Sequence, residues 1–211
     1  LKKEGSAYDL AIAVGYLLAS NQMKAFDASN KIFLGELALD GSLRPVAGVL
    51  PVILMAKEKF KEIILPTKNI REAEIIKGIK IVGCETLKDA IEYLEGKKEI
   101  GFISNKDLEI SQNKKHTVDF ADIKGQQQAK RALEIAAAGG HNILMVGSPG
   151  SGKSMLAKAL PSILPPMSLD EALEVTKIYS VCGLTSEEEP LITLRPYRAP
   201  HHTASKIAVV G

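Results

Sequence analysis

The spacing of apolar residues changes period several times along the 211-residue chain. Residues 9 to 20, DLAIAVGYLLAS, are apolar on nearly every side of a helix, which predicts a buried helix with Asp9 as its cap. KIFLGELALDGSLRPV then gives two apolar runs joined at Asp40-Gly41, a dipeptide that tolerates the positive φ of a tight hairpin. VLPVILMAKEK, residues 49 to 59, predicts a helix, EIILP a short buried strand, and NIREAEIIKG a helix closed by Gly78. IKIVG reads as another strand, and TLKDAIEYLEG as a capped amphipathic helix ending in glycine. Strands alternating with helices predict an α/β layered unit over residues 1 to 96.

Residues 97 to 118 lose this periodicity and gain Lys, Asn and Ser, the composition of a linker. After them, DFADIKGQQQAKRALEIAAAGG predicts a turn and a helix from Gln126 to Ala138, stopped by Gly139-Gly140. HNILMV predicts a short apolar strand, GSPGSGKS a loop, and SMLAKALPSIL a helix that Pro161 kinks or ends. No internal repeat is present. The first residue is Leu1, not Met, and both ends cut through patterned segments, as expected for a piece of a longer protein.

The strand–loop–helix stretch carries the clearest chemistry. Gly147, Gly152, Lys153 and Ser154 satisfy GxxxxGK[ST], and the full loop runs Gly147, Ser148, Pro149, Gly150, Ser151, Gly152, Lys153, Ser154. Glycines allow backbone angles that turn successive N–H groups into a concavity, and the following helix adds its positive end. Lys153 is expected to reach the β and γ phosphates of ATP, and the Ser154 hydroxyl to ligate Mg²⁺.

Hydrolysis also needs an acid at the end of another strand to hold Mg²⁺ and orient water. No apolar run after the loop ends in Asp-Glu; Asp170-Glu171 follow only Ser168-Leu169, where Ser168 and Glu171 form a capping box. Glu36 follows an apolar run but lies upstream of the loop. The expectation is therefore a chain that grips nucleotide and contains no catalytic residue of its own. His201-His202 lack a third ligand at zinc-like spacing, and RPYRAPHH, with Arg195 and Arg198, is a small basic cluster readable as a solvated turn, a nucleic-acid contact or a subunit contact. Cys84 and Cys182 lie far apart without CxxC spacing, as for reduced thiols. Net charge is +2, so no global field points to a polyanion. No apolar run reaches the roughly 18 to 20 residues of a membrane span and no signal peptide opens the chain, so a cytoplasmic protein with no membrane partner is expected.

The stretch from DFADIKGQQQAKRALEIAAAGGHNILMVGSPGSGKS to LEVTKIYSVCG, together with RPYRAPHHTASKIAVVG, resembles the magnesium-chelatase-like AAA+ ATPases of bacteria, the YifB/ComM type. The resemblance covers essentially the whole chain. It implies a partial P-loop AAA+ core over residues 119 to 211, with Ile123, Gly125 and Gln126 at the adenine pocket and residues 167 to 195 beginning a helix-2 insertion. It also implies ATP-dependent hexameric rings, some of them acting on DNA as branch-migrating helicases in natural transformation. KEGSAYD and GELALDGSLRPVAGVLP resemble the Lon-protease-type α+β domain (ribosomal S5 domain 2-like) carried ahead of such ATPases, here residues 1 to 96, N-terminally truncated.

Protease members of that kind use a Ser-Lys dyad. Aligned on the matching motifs, the serine position falls on Ala7 and the lysine position on Leu50, so no active protease is expected. Ser6 is one residue off, and Lys57 is two helical turns beyond position 50. Three functions follow as alternatives: a ring-forming DNA motor, a chelatase-type motor remodelling a metal-inserting partner, or a non-catalytic nucleotide-binding scaffold.

Overall fold

The computed structural model describes residues 5–101, 116–200 and 203–204. The chain divides into two units, Leu1–Glu109 with Asp170–Ile192, and Ile110–Leu169 with Thr193–Gly211. In the first unit, helix α1 (Asp9–Ala19) leads to strand β1 (Lys31–Phe33), strands β2 (Glu36–Leu37) and β3 (Leu43–Arg44), and helix α2 (Val49–Ala56). Strand β4 (Glu62–Pro66), the one-turn helix α3 (Ile70–Ala73), strand β5 (Lys80–Cys84) and helix α4 (Leu87–Leu94) complete its N-terminal part. Helices α5 (Gln127–Gly139) and α6 (Lys153–Ala159) lie in the second unit, and α7 (Leu169–Val181) runs back into the first.

β1, β4 and β5 form a parallel sheet in the order β1-β4-β5, with Ile63 paired between Ile32 and Ile81. Every residue of β4 is buried, as its unbroken apolar run requires of a central parallel strand covered on both faces. Ile63, Ile64 and Leu65 are fully buried, each worth roughly 1.5–3 kcal/mol. The strands begin in register with Lys31, Glu62 and Lys80 side by side. Glu62 is only 6% exposed; it receives hydrogen bonds from Lys31 and the Tyr93 hydroxyl and pairs with Lys80 at 3.1 Å. Burial pushes the Glu62 carboxyl up, but the hydrogen bonds from Lys31, Tyr93 and Lys80 outweigh it and hold the group below the ordinary carboxylate value.

The two apolar runs around Asp40-Gly41 do not simply pair with each other. The first divides at Gly35: β1 joins the parallel sheet, while β2 pairs antiparallel with β3. At that bend a methyl group would come within 3.3 Å of the Pro66 ring. The hairpin loop closes with Ala38 N donating to Ser42 O at 3.0 Å, and Gly41 sits at φ 83 as its left-handed residue.

Two helices depart from the sequence pattern in instructive ways, and a third keeps to it. α1 is covered on one face only: Leu10 and Val14 are buried, while Ile12 and Tyr16 are 67% and 66% exposed. Asp9 is its first residue, and the carboxylate accepts from the Leu37 amide at 3.3 Å. The helix expected over NIREAEIIKG stops at Ala73 after one turn, where the β-branched pair Ile75-Ile76 follows and is buried in turn structure instead. α4 matches its pattern, opened by a reciprocal Thr86–Asp89 capping box. Lys98 and the Thr86 hydroxyl hold the Asp89 carboxyl below its ordinary value. Cys84 closes β5 at 1% exposure, and burial pushes its thiol up to about 12; Cys182 is exposed.

The second unit packs Phe120, Ile123, Leu133, Leu156 and Ala159 into its own core. The Ser162 hydroxyl accepts from Phe120 N at 2.9 Å and donates to Ala159 O at 2.8 Å, tying the start of the unit to the turn after α6. Among the described residues, no helix is long and apolar enough to cross a membrane.

Candidate functional site

Gly140, at φ 64, ends α5 and turns the chain into residues 141 to 146. These residues alternate as a strand would, with Met145 half-buried against the core and Leu144 and Val146 exposed at 86% and 87%. The strand predicted over HNILMV nevertheless does not form among the described residues. A strand is defined by a neighbour that takes its amides and carbonyls, and no described segment pairs with this one.

The loop that follows is shaped by its glycines. Gly150 and Gly152 adopt φ 79 and φ 84, angles that other residues adopt only at a cost. At Gly147 an added Cβ would lie 3.2 Å from Ser151 Oγ and 4.0 Å from Lys153 Cδ, so the loop and the lysine use the space a side chain would fill. α6 starts at Lys153, whose ammonium turns back over the loop. It donates to Gly147 O at 2.9 Å, Ser148 O at 2.7 Å and Ser151 Oγ at 3.1 Å. Ser148 and Pro149 lie exposed at the tip, and Ser154 is exposed as the second residue of α6.

Gln126 joins this loop from the other side. It sits at φ 54 before α5, a left-handed conformation costing on the order of 1 kcal/mol outside glycine, and its side-chain amide donates to Ser151 O at 3.2 Å. Together these groups border a cavity of about 430 Å³, walled by Gln126, Ala129 and Ala132 on one side and Met145, Gly147 and Lys153 on the other. Lys153 is the one charged residue among the described residues that line it, so the cavity is electrostatically suited to an anion.

The candidate residues are thus distributed unevenly. Gly147, Ser148, Ser151 and Lys153 share the cavity with Gln126. Ile123 is 6% exposed in the core of the same unit, and Gly125, at φ 69, makes the turn that brings Gln126 out. Ala129 and Ala132 were not picked out by the sequence motif. Their signal is two small residues on the α5 face beside Leu133 and Ala136, where bulk would close the cavity.

The other candidates sit elsewhere. Glu36 pairs with Arg44 across the hairpin at 3.5 Å, and Asp170 and Glu171 lie in the first turn of α7. Arg195 Nε donates to Pro165 O at 2.7 Å; Arg198 is exposed. His201 and His202 lie outside the described residues. Among the described residues, no group of three His, Cys, Asp or Glu side chains is arranged to hold a metal ion. At the positions aligned with a Ser-Lys dyad, the Ala7 carbonyl accepts from Gly35 N at 2.9 Å, and Leu50 is fully buried in α2. Ser6 lies in the one-turn 3-10 helix before α1, and Lys57 caps the end of α2.

Two family models match the chain: "Magnesium chelatase, subunit ChlI" over residues 119–211 and "Subunit ChlI of Mg-chelatase" over residues 1–69. The chain is 43% identical over 215 residues to the competence protein ComM of Haemophilus influenzae, covering all of this chain and 42% of that protein. It is 40% identical over 211 residues to the uncharacterised protein YifB of Escherichia coli, covering all of this chain and 41% of that one. Its similarity to the archaeal Lon protease of Methanothermobacter thermautotrophicus is 35% identity over 106 residues, half of this chain and 14% of the protease. The chain spans about two fifths of the length of ComM and YifB.

Proposed function

The chain belongs to the family of magnesium chelatase subunit ChlI that includes ComM and YifB, and from that premise we propose that its phosphate loop binds ATP with Mg²⁺ as the nucleotide-gripping half of an AAA+ motor. The observation that carries this reading is Lys153, drawn over a glycine-shaped loop beside a cavity whose lining holds no carboxylate. Bound nucleotide supplies a phosphoanhydride whose cleavage powers such motors. Lys153 offsets phosphate charge, Ser154 supplies a hydroxyl to Mg²⁺, the loop amides take phosphate oxygens, and Gln126 with Ala129 and Ala132 borders the remainder. Ile123 supports that wall from the core. The acids nearest the loop in the downstream sequence, Asp170 and Glu171, sit in the first turn of α7, so binding without steady turnover is the outcome expected of these 211 residues.

The parent protein is, on this reading, a ring-forming motor that acts on DNA in branch migration, in line with the competence protein it resembles. The domain order is a Lon-like unit lacking the dyad, a linker over residues 97 to 118, and the front of the ATPase, working in the cytoplasm. Titration calorimetry tests the first step: Mg·ATP binds to this chain and binding is lost in Lys153→Ala. Steady turnover by this chain, abolished in the same variant, would overturn the placement of the catalytic acid. ATP-dependent branch migration by the full-length protein tests the second step, and a full-length protein indifferent to DNA refutes it. A chelatase-type motor is the second reading, favoured by the description of the matching family; ATP turnover raised by a porphyrin-handling partner and not by DNA would select it.

A further inference from the structure

α7 buries three small residues four positions apart, Ala172, Thr176 and Ser180, which lets its backbone lie close to the surface beneath. That surface belongs to the first unit and contains a buried acid. Glu72, on α3, is 7% exposed; its Oε1 accepts the Leu50 amide at 3.1 Å and the Ser180 hydroxyl. The Ser180 carbonyl accepts the Gly48 amide at 3.0 Å. Gly48 and Gly183, in the left-handed region at φ 79 and φ 66, make the turns at this contact, with ideal methyl positions in ordinary contact at 3.9 Å from Val181 and 3.8 Å from Ala47. Thr176 Oγ1 donates to Ala172 O at 2.6 Å and accepts Ile192 N at 2.9 Å, so residues 182–192 fold back along the helix.

The segment is therefore held by a few hydrogen bonds and small side chains. Leu191 is buried at the far end of the segment, but Ile178, Val181 and Leu184 are 54–65% exposed, so the end of α7 that meets Glu72 is held mainly by hydrogen bonds and small side chains and has little apolar burial of its own to resist opening. Its ends leave and re-enter the second unit, where Arg195 is tied to Pro165 at 2.7 Å. The entry point lies ten residues after the phosphate-loop helix, beyond a 3-10 turn over Leu160–Ile163.

We propose that residues 170–192 form a releasable strap, docked on Glu72 of the first unit and undocked as nucleotide occupancy of the phosphate loop changes. The nucleotide dependence rests on the function proposed above; the docking does not. A strap that packs within the first unit and is joined in sequence at both ends to the second would pass the state of the nucleotide site along the chain without any catalytic group of its own.

Native-state amide exchange tests both parts. The amides of Gly48, Leu50 and Ile192 donate to acceptors that the strap provides or buries, so they should share one opening event. Ser180→Ala, which removes a donor from a buried carboxylate, should raise their exchange about tenfold or more, while β4 and β5 amides keep their protection. Ser180→Thr retains the hydroxyl and should restore slow exchange. Saturating Mg·ATP should shift the same three amides in the wild type and not in Lys153→Ala. Unchanged exchange in Ser180→Ala, or a uniform rise through the sheet, overturns the strap. Calorimetric ATP binding that leaves the three amides unmoved overturns its coupling to nucleotide. Absence of ATP binding sinks the nucleotide site instead, while the Ser180 result still decides the docking.

Discussion

Replacing Glu62 by Gln keeps volume and removes the one negative charge shared by Lys31, Lys80 and Tyr93. Its side chain is 7% exposed, so its pairing operates largely out of water, whereas Lys31 and Lys80 keep 23% and 39% of their side-chain exposure. Removing one partner of a fully buried pair costs about 3–5 kcal/mol. Here both lysines are able to turn toward solvent, which brings the expected loss down to about 1–3 kcal/mol. The sign with pH follows from the lowered folded-state value. A depressed carboxyl stabilises the fold above its unfolded value, near pH 4.3, and that contribution disappears as pH falls through the folded value. Urea unfolding followed by circular dichroism, from pH 7 to pH 3, is the assay. The variant should be less stable at pH 7, and the difference from wild type should shrink toward pH 3. Equal stability at pH 7, or a difference constant across the whole range, would refute the account of the ladder.

Three further outcomes can be measured directly. Thr86→Ala removes half of the capping box of α4 and should cost about 1 kcal/mol in urea unfolding. Leu133→Ala, at a fully buried position of the second unit, should cost that unit about 2–5 kcal/mol while exchange protection in β4 and β5 is unchanged. Gly152→Ala places a side chain at φ 84, costing about 1–2 kcal/mol, and should weaken Mg·ATP binding in calorimetry by roughly tenfold without unfolding the chain.

What could be read directly from the sequence was what neighbouring residues decide among themselves. The Thr86–Asp89 box, the left-handed Gly41 and the glycines of residues 147 to 152 are fixed within a few positions, and the apolar run of β4 states its double-sided burial. Features that depend on distant partners were hidden. α1 is apolar all round, yet only one side meets the sheet and hairpin. HNILMV has the alternation of a strand but lacks a described neighbour to make it one. Glu72 gave no signal because its partners, Leu50 and Ser180, are 22 and 108 residues away. α7 falls in the stretch that the resemblance assigns to the ATPase half, and its packing in the first unit through the small residues Ala172, Thr176 and Ser180 is invisible to any pattern based on large apolar side chains. Gln126 entered only through a family resemblance, and its strained backbone and contact with Ser151 gave it an independent physical reason.

The two cysteines differ in a way that has a practical consequence. Cys84 is sealed behind β5 with its thiol pushed up to about 12, so it stays protonated and inert to alkylating reagents at neutral pH. Cys182 is exposed one residue beyond α7. The natural sequence thus offers a single thiol on the strap for a fluorophore or spin label, and distance measurements on its movement need no engineered cysteine.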